Sequence, residues 1–600
     1  MPPRSRFALA GTATLALALA FGLPAHGQEQ TPQSLLPPGF GTTAPPVPPP
    51  PAAPAPSVDA PPADMVPPGE SAAAPATPGA DAAADDAADE DAPPAPEELP
   101  PQARRSLDLV GPEGGYGEEA FASADGRWLA TLMRRLQGPI ASRWAEIVLR
   151  RALIGRTPAP AGEDAADWVA DRAQLLLRLG EADGARMLVA GVDVDNFSPR
   201  LRKAAIQTAL ASSDPAGLCA LPSGNETASG QAAWPMIRAF CAALSNDAAT
   251  ANALIGRGSA ADPIDHALAQ KLVAAGGGRR VMPIDWTAVD TLTPWRYGLA
   301  TALNVMIPQP LLDAGPAWFQ AWLARAPMLA AADRVAPARI AAALGPVSSS
   351  ELVDLYGRVM DEAGDIDTDS PAGRLRAAYR GDDDAARMTA MHALWDAAAG
   401  GAGGERDRYA AAILTARAAA GIRPAQDREG DLAPILGSLF SAGLDLQAER
   451  WAPIAAAAGG AEGDRAWALL AVGATRPVVP ITAARVQAFA KQAGTDKRQR
   501  TALLVAALAG LGRLSPEDAA PIAKAAGADL GVQTAFAHAI DRAAAADARG
   551  TVALLVATGM QTADWNGVPA ADFYRMISAL HRIGMDGEAR MIAAEAMERT

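Results

Sequence analysis

The chain has 600 residues, of which 50% are hydrophobic but only 5% aromatic, so Ala and Leu supply most of the material for a core. With 52 Lys plus Arg against 67 Asp plus Glu, the net charge is −15 and the isoelectric point about 4.9. That balance excludes the basic footprint of a nucleic-acid-binding protein.

Residues 1–27 read as a secretory signal. Arg4 and Arg6 precede an apolar run from Phe7 to Leu23, and Ala25-His26-Gly27 supplies a small-x-small cleavage site before Gln28. The mature product is therefore expected outside the cytoplasm, periplasmic or secreted. It is not expected to be an integral membrane protein after cleavage, because the longest later apolar run, Thr501 to Gly512, is too short to span a bilayer. Residues 28–101 form a Pro/Ala-rich acidic linker, with eleven acidic and no basic residues between Thr31 and Pro101. Too little apolar surface exists there to offset the entropy of folding, so the segment is expected to be disordered. Fully stretched, it would reach on the order of 200 Å. The remainder carries 50 basic and 55 acidic residues, so most of the acidity belongs to the linker.

From Gln102 onward the apolar residues recur with helical spacing. Trp168, Leu175, Leu176 and Leu179 share one face of a helix. Ser198-Pro199, Asp214-Pro215, Ser370-Pro371 and Ser515-Pro516 pair a capping side chain with a proline suited to the first helical turn. No sustained alternation of β-branched and polar residues occurs, so the fold class is all-α. Gly400 to Gly404 is the best candidate for a hinge and divides the helical part into regions 102–399 and 405–600. Gly276 to Gly278 is a weaker one.

Three stretches repeat a helix-turn-helix joint: LRLGEADGARMLVA at Leu177, LFSAGLDLQAERWA at Leu439 and HRIGMDGEARMIAA at His581. In each, a glycine able to close a helix in the left-handed conformation stands five residues before an alanine small enough for close packing: Gly180 and Ala185, Gly443 and Ala448, Gly584 and Ala589. This spacing resembles the joint of tetratricopeptide-like helical repeats. The resemblance covers three short segments without a constant 34-residue period, and the fuller Trp-Leu-Gly-Tyr pattern is missing. It implies an α-solenoid of stacked helical hairpins and protein or peptide binding on a concave surface.

Cys219 and Cys241 are the two cysteines, and in an oxidising compartment they are expected to pair. Asp365, Asp367 and Asp369 resemble the first three ligands of a calcium loop, but Ser370 stands in place of the sharp-turn glycine and Arg376 in place of the bidentate glutamate. An acidic turn leading into a helix capped by Ser370 is the better reading. The mature histidines, His266, His392, His538 and His581, never fall two to a helical turn, so neither a metal site nor a cofactor is expected. No phosphate-binding loop, zinc-protease or nucleophile-elbow motif occurs, and no catalytic residue is assigned.

Aromatic residues concentrate between Trp286 and Trp322, where Trp286, Trp295, Tyr297, Trp318 and Trp322 are candidate anchors for a partner. A packed junction between two halves of the array is the alternative reading of the same residues. The expectation is an exported scaffold or adaptor that binds a protein or peptide in the cell envelope. Two other readings stay open. One is a cell-wall or glycan enzyme on a helical frame; periplasmic lytic transglycosylases also carry helical superhelices, and Glu70-Ser71 copies their Glu-Ser pair, although within the linker. The other is a structural envelope protein with no discrete ligand.

Overall fold

A computed structural model describes residues 104–600 except 123, 222–232, 258–261, 277–282, 365–366 and 494–497. The signal and linker readings, and Asp365 of the acidic turn, lie outside the described residues. Among the described residues there are 27 α-helices and a few short 3-10 turns. Extended pairing among the described residues is limited to one isolated bridge, Val110 with Thr157. The helices pack as neighbouring pairs, and the expected all-α stack of hairpins is what forms.

The three joints share one geometry. Gly180, Gly443 and Gly584 have φ of 86°, 72° and 75°. The residue after each glycine donates its N–H back across the turn at 2.9 Å: Glu181 to Leu176, Leu444 to Leu439 and Met585 to Leu580. This closure satisfies carbonyls that a helix end otherwise leaves bare. Ala185, Ala448 and Ala589 are fully buried, as the close packing of consecutive helices requires.

The structure adds joints that the glycine pattern does not mark. Ser213, Asn246 and Asp547 adopt the same left-handed conformation. The same back-donation follows each of them, from Asp214, Asp247 and Ala548. Joints thus fall at 180, 213 and 246, a period of 33, and at 512, 547 and 584, at intervals of 35 and 37. Five residues on from 213, 246 and 547, Leu218, Ala251 and Val552 are again buried.

Capping follows the sequence. Ser198, Asp214, Ser370 and Ser515 each accept the backbone N–H three residues on, from Leu201, Gly217, Gly373 and Asp518. The apolar Thr501–Gly512 run lies mostly in the Arg498–Gly510 helix, which is buried on nearly every side. No described helix is long and apolar enough to cross a membrane. The glycines at 400–404 turn between the Asp384–Ala399 and Glu405–Ala420 helices, which pack along each other within one compact unit spanning Ala95–Thr600. The stretch expected to be a hinge connects these two helices.

The stack does not run out to two free ends. The Arg143–Ile154 helix packs on the Arg549–Gly559 helix and on Asp586–Arg599. Asp586–Arg599 also touches the helices Leu432–Ser441, Gly460–Gly473, Arg498–Gly510 and Ala570–Arg582, and its residues from Ala589 to Met597 are all buried. Glu595 on this hub caps the distant Arg143–Ile154 helix. It accepts from Ser142 Oγ at 2.6 Å, Arg143 N–H at 2.8 Å and Trp144 N–H at 3.0 Å, and pairs with Arg599 at 2.6 Å. A carboxylate at a helix N-terminus meets both bare N–H groups and the positive end of the helix dipole.

Candidate functional site

The aromatic region between Trp286 and Trp322 divides by burial. Tyr297 and Trp322 are 0% and 3% exposed, and their rings stand 5.3 Å apart, with Phe319 packed against both. Buried this way, they form a wall and do not reach a ligand from solution. Trp286, Trp295 and Trp318 are half-buried. Trp295 is tied inward, its indole N–H donating to the Asp265 carbonyl at 3.3 Å and its ring lying 6.4 Å from Phe240. Beside it Arg296 pairs with Asp262 at 3.0 Å and Asp265 at 2.8 Å, fastening the Pro294–Ala302 helix to Pro263–Gly276. Trp318 begins the Trp318–Arg325 helix and is half-buried, its ring centroid 4.0 Å from that of Phe319 and 4.4 Å from that of Trp322.

Cys219 and Cys241 form a disulfide that joins the Pro215–Ala220 turn to the Ala233–Leu244 helix. In the acidic turn, Asp367 accepts the Asp369 N–H at 2.9 Å and the Ser370 hydroxyl on its carbonyl at 2.6 Å. The two described aspartates therefore shape the approach to a helix cap. Among the described residues, no three His, Cys, Asp or Glu side chains converge as a metal site would need.

At the far end of the Trp318–Arg325 helix lies a polar cleft of about 370 Å³ that sequence reasoning did not find. Arg325, Arg334, Arg358, Asp183 and Glu351 supply its charged walls. Arg325 is heavily engaged, at 3.0 Å from both Glu181 and Glu351 and 3.7 Å from Asp183, and it also donates to the Pro346 carbonyl. Burial pulls its guanidinium down, but Glu181 and Glu351 more than reverse this and hold it above its ordinary range. Glu181 in turn binds Arg150. The engagement begins at a repeat joint: a side chain on Gly180 would come within 2.4 Å of Ala321 Cβ, so the bare glycine lets the Trp318–Arg325 helix lie against the turn. Nearby on the Arg143–Ile154 helix, Glu146 is buried with Oε1 unpartnered, and burial, with Glu181 adding to it, holds the carboxyl well above the usual range.

The cleft has no signature in the sequence, because its three arginines, 9 and 24 residues apart on three consecutive helices, follow no motif. Arg334 sits on Ala331–Leu344 and Arg358 on Ser349–Ala363. No family model, no curated protein and no solved structure matches this chain.

Proposed function

We propose that the protein is an exported, non-enzymatic helical scaffold that binds a protein or peptide partner in the cell envelope. The observation that carries this reading is the Trp318–Arg325 helix. It carries a half-buried indole at one end and opens on a charged cleft at the other, and its middle is held by the buried Tyr297, Phe319 and Trp322 rings. An aromatic side chain pre-set on a rigid wall binds with little loss of side-chain entropy, and a polar rim beside it adds specificity. The disulfide supports export, since such bonds persist in oxidising compartments.

Trp318→Ala tests the proposal. Retained melting temperature together with a fall in partner capture from the protein's own envelope of about thirtyfold, roughly 2 kcal/mol, is the expected result. A melting loss equal to that of a fully buried tryptophan, with capture per folded molecule unchanged, would assign Trp318 to the core and remove the surface from the reading.

A further inference from the structure

Arg334 and Arg358 stand apart from the other cations of the cleft. Arg334 is only 9% exposed, yet its Nε has no hydrogen-bond partner, and neither guanidinium has an ion-pair partner among the described residues. Glu362 acts on Arg334 through space but forms no ion pair with it, and its Oε2 accepts the Ala331 N–H at 2.9 Å. A buried cation without a partner is costly, and two like charges facing one cleft add to that cost. Burial lowers the Arg334 guanidinium and Arg358 lowers it further, with Glu362 offsetting only part of this. Arginine does not escape the cost by losing its proton at ordinary pH, so the charge persists. An incoming anion removes the penalty.

The charges of the cleft select among anions. Asp183 and Glu351 are taken up by Arg325, and the two arginines without an ion pair have one neighbouring carboxylate, Glu362, which leaves them a local surplus of one positive charge. A single carboxylate neutralises that surplus, whereas a phosphate dianion would overshoot it and meet Asp183 and Glu351 on the rim. The planar guanidinium fork also matches the two coplanar oxygens of a carboxylate.

We infer that the unpartnered guanidinium groups of Arg334 and Arg358, facing one cleft, form a receptor for a carboxylate, an aspartate or glutamate side chain of the partner. The statement that the carboxylate belongs to a peptide rests on the partner-binding reading; the receptor itself does not. Titration calorimetry on the purified protein at low salt tests it with acetyl-Ala-Asp-Ala-amide, the same peptide with Asn, and inorganic phosphate as probes. The Asp peptide is expected to bind at least tenfold tighter than either of the others. Arg358→Gln, a change at an exposed side chain, is expected to lose that preference. Arg334→Leu is expected to lose it as well while melting no lower than the parent, because it removes an unpaired buried charge. Equal binding of the Asp and Asn peptides, tighter binding of phosphate, absence of binding at millimolar peptide, or unchanged binding in Arg358→Gln would each overturn the inference. Should Trp318→Ala leave partner capture intact while the Asp peptide still binds, the partner surface fails and the receptor stands.

Discussion

Removing the carboxylate of Glu595 should open the array at the point where its ends meet. In Glu595→Ala, Ser142 Oγ, Arg143 N–H and Trp144 N–H lose their acceptor at once. Arg599 is not orphaned, because Glu405 still holds it at 2.6 Å. The cost is therefore set by buried donors left at the start of a helix, each about 1–3 kcal/mol. Some of this is recovered by relaxation or entering water, which places the total at about 3–5 kcal/mol, the range for breaking a buried charge network. Against a domain stability of roughly 5–15 kcal/mol, that is a large fraction. Glu595→Gln keeps the shape but turns one end of the side chain into a donor facing donors, so it should cost about 1–3 kcal/mol. Urea unfolding followed by far-ultraviolet circular dichroism measures both, and hydrogen exchange at residues 142–146 reports whether the damage is local. A loss below 1 kcal/mol for the alanine variant would refute the view that this cap holds the ends together.

Further outcomes follow from single residues. Gly180→Ala should destabilise at least twice as much as Gly584→Ala: both force alanine into a left-handed conformation at about 1–2 kcal/mol, but only the first places Cβ 2.4 Å from another side chain, while Gly584 has open space. Comparison of denaturant midpoints decides it, and equal losses would count against close packing at the Gly180 joint. Burial holds the Glu598 carboxyl up at about 7 against 4.5 for a free glutamate, with Arg465 and Arg500 only partly offsetting it. The folded state thus keeps the proton that the unfolded chain releases, a contribution fully present below pH 4.5 and lost as pH rises through 7. Between pH 5 and 8 the parent should lose stability relative to Glu598→Gln, and parallel pH curves would contradict that sign. Reducing the Cys219–Cys241 bridge, which spans 22 residues, should cost roughly 3 kcal/mol, measured by melting with and without reductant after thiol counting on the native protein.

How much of this was legible in the sequence depends on how each position solves its backbone problem. Gly180, Gly443 and Gly584 announce their joints because glycine is the residue that takes positive φ without strain. Asn246 and Asp547 take the same conformation, which their short polar side chains tolerate, but they also occur in caps and loops and so mark nothing alone. Ser213 gives still less warning. The period of 33 in the first half was hidden for that reason. Capping was readable, since Ser or Asp before Pro states a local preference that the structure follows. The hub was not: Asp586–Arg599 resembles the second helix of one more joint, and being buried on all sides is a property of its neighbours. The same limit applies to Tyr297 and Trp322, whose composition suits a core or an anchor equally, and to Arg334, which reads as a solvated charge until the helices around it are in place.

The position of the hub has a consequence for how the molecule is made. The described helices that pack on Asp586–Arg599 precede it along the chain, so a ribosome finishes them before supplying the element that joins them. Hairpins can form early from near contacts, but the pairing of Ser142 with Glu595 joins residues 453 positions apart. Such a contact must await closure of the whole array and is slow relative to the local turns. Until then, the inward faces of Leu432–Ser441, Gly460–Gly473 and Arg498–Gly510 lack their shared cover. A chain with its hairpins formed and this hub not yet docked would expose an apolar seam, the kind of surface that favours association with neighbouring chains.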